Sequence, residues 1–248
     1  MKKHLATLSL LTLLAPLGAC GGSDSGDTTI TVLAASSLTE TFTQLADQFE
    51  KDHPGVTVKL SFDSSATLAQ QAVDGAPGDV LATADTSTMD TAQDALASDP
   101  KVFATNTMVL VTPADNPAGI TGFQDIEQGG VTYVVCVPTA PCGKVAAALL
   151  DDNGVQAKPA SQEVDVKSVL AKVTSDEADA GFVYTTDARA AGDAVETFEI
   201  PQSADEPTSY PIATLDQSKE SDLAQEFVDL VTSSDGQAVF TAAGFGTP

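Results

Sequence analysis

Between residues 29 and 242 the apolar residues of this chain switch repeatedly between the period of a strand and the period of a helix. Thr29 to Ala34 reads as a strand, after which Leu38, Phe42, Leu45, Ala46 and Phe49 fall on one helical face. Val56, Val58, Leu60 and Phe62 alternate as a second strand, followed by a short helix from Thr67 to Val73. Asp79 to Thr83 is a third strand and Thr86 to Ala97 a third helix. After the apolar run Met108 to Val111, which ends at Pro113, a second set begins. It comprises a strand at Val131 to Val137, helices at Gly143 to Leu150 and Val166 to Val173, a strand at Ala180 to Tyr184, and a short helix at Thr186 to Ala191. Val195 to Ile200 and Tyr210 to Leu215 are extended, and two helices, Asp222 to Thr232 and Gln237 to Ala242, close the pattern. Strands alternating with helices imply an α/β fold with largely parallel sheets. About 220 residues form one large domain or two small ones.

Two corners of this pattern carry chemistry. Ala34-Ala35-Ser36-Ser37-Leu38-Thr39-Glu40 and Phe62-Asp63-Ser64-Ser65-Ala66-Thr67-Leu68 each place neutral hydroxyls where a strand gives way to a helix. Helix N-termini present unpaired N–H groups and a partial positive charge, so an anion can bind there without a cationic side chain. The plainer reading makes Ser37 an N-cap, in capping-box spacing with Glu40. Ser65 is open in the same way, since Ser64 or Ala66 could hold the cap instead.

The N-terminus reads as a processing signal over residues 1–20. Lys2, Lys3 and His4 form a basic start, Leu5 to Leu14 is apolar but short for a bilayer span, and Leu17-Gly18-Ala19-Cys20-Gly21 resembles a bacterial lipobox. Cleavage there would leave a lipid-modified Cys20 at the head of a Gly/Ser/Asp tether, residues 21–27. The chain is therefore expected to be exported and held to the outer face of the cell membrane by lipid. The two remaining cysteines, Cys136 and Cys142, are then expected to form a disulfide. A metal site would need further ligands at regular spacing, and redox use would need Cys-x-x-Cys.

Removing the signal leaves nine basic residues against 35 acidic ones, a net charge of about −26. Nucleic acid and anionic headgroups are poor partners for such a chain. Any anion site must work at short range, through backbone N–H and hydroxyl dipoles. The exported part has one histidine, His53, in a turn sequence, and no Gly-x-Ser-x-Gly elbow, phosphate loop or His-x-x-x-His pair, so catalysis is disfavoured.

Seven segments in order resemble the molybdate-binding proteins of ABC uptake systems, over nearly all of the exported region. They are Ile30-Thr31-Val32-Leu33-Ala34-Ala35-Ser36-Ser37-Leu38, Phe62-Asp63-Ser64-Ser65-Ala66-Thr67-Leu68-Ala69, Gly75-Ala76-Pro77-Gly78-Asp79-Val80, Pro141-Cys142-Gly143, Asp165-Val166-Lys167, Gly181-Phe182-Val183-Tyr184 and Tyr210-Pro211-Ile212-Ala213. The resemblance implies a two-lobed type II periplasmic-binding-protein fold, each lobe a mixed, mostly parallel sheet flanked by helices. Lobe I would comprise 28–107 and 210–248, and lobe II 108–209, with crossings near Thr107 to Leu110 and Asp205 to Ser209. The ligand would lie in the cleft between them.

By the same resemblance, Ser37 and Ser65 would donate from hydroxyl and backbone, Cys142 and Val166 from backbone N–H, and Tyr184 from its phenol. A pocket made of donors suits a fully deprotonated tetrahedral dianion, molybdate or tungstate with sulfate as the alternative, whereas phosphate keeps a proton that needs an acceptor. No cofactor is implied. The implied partners are a separate permease and ATPase, and the chain is expected as a monomer. Two positions depart from the family pattern. Asp63 stands where a small neutral residue is usual and is expected to face solvent, and Cys142 stands where many relatives have alanine. A cation receptor on the same fold is the remaining alternative, but only Tyr184 and Tyr210 could contribute phenols to it.

Overall fold

A computed structural model describes residues 28–248. The expected signal, lipidation and tether positions, Cys20 among them, lie outside the described residues. Two five-stranded sheets carry the architecture.

The first sheet has the order β2-β1-β3-β10-β4. It contains β1 (Thr28–Ala35), β2 (Val56–Asp63), β3 (Val80–Ala82), β4 (Lys101–Asn106) and β10 (Thr208–Thr214). β1 pairs parallel with β2 and β3, in register Val32 with Leu60 and with Val80, and β10 runs antiparallel to both β3 and β4. The second sheet has the order β7-β6-β8-β5-β9, from β5 (Met108–Pro113), β6 (Tyr133–Cys136), β7 (Ser161–Glu163), β8 (Ala180–Tyr184) and β9 (Val195–Glu199). Here β6 is parallel to β7 and β8, and β5 is antiparallel to β8 and β9. Each sheet thus has one reversed strand, β10 or β5. In both cases it is the strand by which the chain enters from the other sheet.

Helices cover both sheets. α1 (Thr39–Asp52), α7 (Ser221–Thr232) and α8 (Ser234–Ala243) lie on one face of the first, and α2 (Ser65–Val73) and α3 (Thr86–Thr91) on the other. Strand alternation divides the two cores. Ile30, Val32 and Ala34 of β1 join Phe42, Phe49, Phe103, Phe227 and Phe240, whereas Leu33 turns to Leu68, Leu81 and Met89. α4 (Pro141–Asp152), α5 (Val166–Thr174) and α6 (Thr185–Ala191) pack on the second sheet around Leu110, Tyr133, Val169 and Phe182.

Periodicity misplaces a few elements. The expected third helix stops at Thr91 and continues as a single 3-10 turn, Gln93–Ala95. β4 and β7 are strands that the pattern does not announce. β7 is three polar residues paired along the backbone with β6, and β4 buries Phe103 and Ala104, which are adjacent and break its alternation.

Candidate functional site

The first sheet contributes two strand ends. β1 stops at Ala35 and the chain makes one 3-10 turn, Ser36–Leu38, before α1. The capping box expected from Ser37 and Glu40 does not form, because Leu38 occupies the cap of α1 and no side chain bonds there. Ser37 Oγ lies instead 3.0 Å from Tyr210 Oη on β10. At the second corner β2 ends at Asp63 and α2 begins at Ser65, with Ser64 as a cap that makes no side-chain bond. Ser65 Oγ accepts the Ala84 N–H at 3.0 Å. Both serines are buried, and neither spends its hydroxyl on its own helix.

The second sheet supplies three more. β6 runs out at Cys136, and Pro141 starts α4 with the fixed φ that suits a first turn. A disulfide joins Cys136 to Cys142, with Cα atoms 5.7 Å apart. Gly143 follows because a Cβ there would meet Val137 O at 1.9 Å, so only glycine lets α4 settle on the β6 loop. Asp165 caps α5, its Oδ1 accepting the Ser168 N–H at 2.9 Å, and Val166 opens the helix. The N–H groups of Cys142 and Val166 lie in first helical turns, where no intrahelical acceptor exists. β8 ends at Tyr184, whose N–H donates to Asp187 Oδ2 at 3.3 Å.

These ends meet around one small cavity, about 10 Å³ of space for the centre of a water-sized occupant. The first sheet's side lines it with Ala35, Ser36, Ser37, Asp63, Ser64, Ser65 and Ala84, and the second with Pro141, Cys142, Asp165, Val166 and Tyr184. All five residues nominated from the sequence, Ser37, Ser65, Cys142, Val166 and Tyr184, face this space together. No lysine or arginine lines it. Tyr184 is 1 % exposed, and its Oη makes no hydrogen bond among the described residues. Burial pushes its phenol well above the usual range, with Tyr210 and Asp187 adding to the shift, so the group keeps its proton. A buried hydroxyl left unpaired costs about 1–3 kcal/mol.

Asp63 corrects one expectation. It does not turn to solvent but is half-buried on the cavity lining, where its Oδ1 accepts the Ser64 N–H at 2.6 Å. The carboxylate folds back onto its own corner because that N–H, before the helix, has no other acceptor.

Two lysines missed in the sequence close the cleft from the second sheet's side. Lys144 Nζ reaches Asp85 Oδ2 at 2.8 Å, Ser87 Oγ at 2.7 Å and Thr88 Oγ1 at 3.2 Å. Lys167 Nζ contacts both Glu40 oxygens, at 2.7 and 3.0 Å, and lies 3.1 Å from Asp187 Oδ1. Desolvation pulls Lys167 down, but the Asp187 and Glu40 carboxylates outweigh it and the pKa rises. Asp187 is fully buried, and desolvation pushes it up to about 6 against the pull of Lys167. The available signal was position: in a chain so poor in cations, these two lysines follow Cys142 and Val166 within two residues.

The cation-receptor alternative finds little support in the side chains. Among the described residues no group of three or more His, Cys, Asp or Glu could hold a metal ion. Tyr210 already spends its hydroxyl on Ser37 and Asn106. His53 stands apart from the cavity, stacked on Phe49 at 4.0 Å and bonded to Glu226 at 2.7 Å.

Comparison with known proteins agrees with this architecture. Residues 30–246 match the family model of bacterial extracellular solute-binding proteins. The chain is 40% identical to the molybdate-binding protein ModA of Mycobacterium tuberculosis (strain H37Rv), over 95% of each chain. It is 32% identical to the ModA protein of Escherichia coli K12, over 87% of this chain and 88% of that one. The periplasmic molybdate-binding protein of Azotobacter vinelandii superposes with a TM-score of 0.78 at 24% identity, covering 88% of this chain and 99% of the other, and so shares the fold. The chain belongs to the bacterial extracellular solute-binding proteins, and within them to the ModA family.

Proposed function

We propose that this protein captures a fully deprotonated tetrahedral oxyanion, molybdate and with it tungstate, in the cavity between its two sheets, and hands it to the permease and ATPase of an ABC transporter. Ser37 and Ser65 donate from hydroxyl and backbone, Cys142 and Val166 from backbone N–H, and Tyr184 from its phenol. The observation that carries the reading is the unpartnered Tyr184 Oη, buried in a cavity ringed by helix starts and free of cationic side chains. Dipoles of this kind spread a dianion's charge without a counter-ion. The names of the relatives supply the choice of molybdenum. The protein's role is to bind and release its ligand rather than to transform it.

The lobe division is 28–107 with 210–248 against 108–209. Support comes from the sheets, since Thr107 alone separates β4 from β5, and residues 200–207 lead back to β10. Lobe I holds the anion, lobe II completes the shell, and closure shifts only as far as the anion prefers the closed form. The disulfide holds the Cys142 corner in its binding geometry. Export, acylation at Cys20 and a monomeric state belong to the same reading and rest on the sequence.

Calorimetric titration of the purified protein with molybdate, tungstate, sulfate and phosphate at matched ionic strength tests it. One-to-one binding of molybdate and tungstate, with sulfate far weaker, is the expected result. A preference for sulfate would keep the pocket and change the ligand, and no heat with any of the four sinks the oxyanion reading.

A further inference from the structure

A serine hydroxyl can donate or accept, so a ring of serines does not by itself select for deprotonated ligands. The surroundings of Ser37 remove the choice. Asn106 Oδ1 accepts the N–H of Thr107 at 3.0 Å, which fixes the amide with its NH2 pointing the other way. The two amide hydrogens go to Thr186 Oγ1 at 2.8 Å and Tyr210 Oη at 3.5 Å. Tyr210 Oη therefore accepts from Asn106, and its own proton has one remaining partner among the described residues, Ser37 Oγ at 3.0 Å. Were Ser37 to donate instead, the Tyr210 proton would be stranded in a fully buried site. Ser37 thus accepts, and its proton is left for the cavity. Burial pushes the Tyr210 phenol up and keeps it protonated. Ser65 is set the same way, since the Ala84 N–H can only donate to it.

We propose that Asn106 and Tyr210 are positioning residues, a one-way hydrogen-bond relay that turns the Ser37 proton into the cavity and thereby sets the preference for fully deprotonated over protonated oxyanions. The proposal rests on the oxyanion reading above. Neither residue lines the cavity, and both sit where the chain passes between sheets, Asn106 at the end of β4 and Tyr210 on β10. The acceptors at the cavity, Asp63 and Asp165, each commit one oxygen to a backbone N–H, of Ser64 and Ser168. Their charges act alike on any dianion.

Asn106→Asp reverses the relay. The new carboxylate accepts from Tyr210, Tyr210 then accepts from Ser37, and the Ser37 oxygen faces the cavity as an acceptor. Tyr210→Phe removes the relay and leaves the Ser37 proton free to turn. The experiment is displacement of bound molybdate by sulfate and by phosphate near pH 8, where both are dianions of similar size but phosphate keeps one proton. For Asn106→Asp, molybdate and sulfate affinity fall about tenfold while phosphate does not weaken, so the phosphate-to-sulfate ratio shifts by about tenfold. Tyr210→Phe shifts it the same way by about threefold. Because both competitors carry equal charge, the added carboxylate cancels in the ratio, and a merely loosened pocket weakens both equally. If the phosphate-to-sulfate ratio of each variant matches that of the wild-type protein, the relay is overturned. If Asn106→Asp fails to fold, Tyr210→Phe decides alone. Failure of the wild-type protein to bind molybdate would instead overturn the oxyanion reading.

Discussion

Lys167 on α5 grips Glu40 on α1 through both carboxylate oxygens, at 2.7 and 3.0 Å, although 127 residues separate them in the chain. The pair ties the second sheet's layer to the first beside the cavity. Under the closure proposed above the pair forms as the lobes meet, so it adds to affinity without touching the ligand. Glu40 is about half exposed, and solvent screening limits such a pair to about 0.2–1 kcal/mol. Glu40→Gln should therefore weaken molybdate binding by no more than about fivefold, mainly through faster release. Stopped-flow release measured at low and high salt checks this: the wild-type rate rises with salt and the variant's responds less.

Tyr184→Phe should separate stability from function. The hydroxyl is fully buried and bonds to no other described residue, so its removal costs the fold itself little. The same change deletes a donor to the anion and weakens binding by about tenfold or more. Thermal melts without ligand should stay close to those of the wild-type protein while titration with molybdate shows the loss. A variant that melts lower without ligand would mean that the hydroxyl has a partner in solution.

Ser65→Ala should lose on both counts. It removes a donor to the ligand and strands the Ala84 N–H, which is buried against Ser65 Oγ. The expected cost to the ligand-free protein is about 1–3 kcal/mol, read by denaturant unfolding. Ser37→Ala strands the Tyr210 proton in the same way, and the two variants should resemble each other.

Asp187 gives the fold a pH signature. Its folded pKa, about 6, lies above the ordinary aspartate value of 3.8. A carboxyl raised on folding binds more protons in the native state, so its contribution is fully present below about pH 4 and is lost as the pH rises through 6. Asp187→Asn keeps a carbonyl for the Tyr184 N–H but cannot titrate. Between pH 4 and 6.5 the variant's melting temperature should gain on that of the wild-type protein, and a constant difference across that window would refute the shift.

Much of the site was visible before the fold because it is built from local events. A strand that ends where a helix begins is written in consecutive residues, so the Ser37 and Ser65 corners could be seen from the change of period, whereas Cys142, Val166 and Tyr184 were named by the resemblance of their motifs to the molybdate-binding proteins. Asp63 was misjudged for the opposite reason: whether a carboxylate turns outward depends on a neighbouring N–H lacking any other acceptor, and periodicity says nothing of that.

By itself, the sequence determined the alternation of strands and helices, the faces they bury, the acidic surface and the hydroxyl corners at strand ends. Each follows from neighbours one to four residues apart, the range over which backbone periodicity couples side chains. The tertiary structure decided which corners face each other, that Lys144 and Lys167 clasp the first sheet's acids, and that Ser37 answers to Tyr210 rather than to its own helix. Ser37 and Tyr210 are 173 residues apart. The pairing of β3 with β10 in one sheet brings that phenol beside the end of β1, and among the described residues the one acceptor open to its proton is the serine.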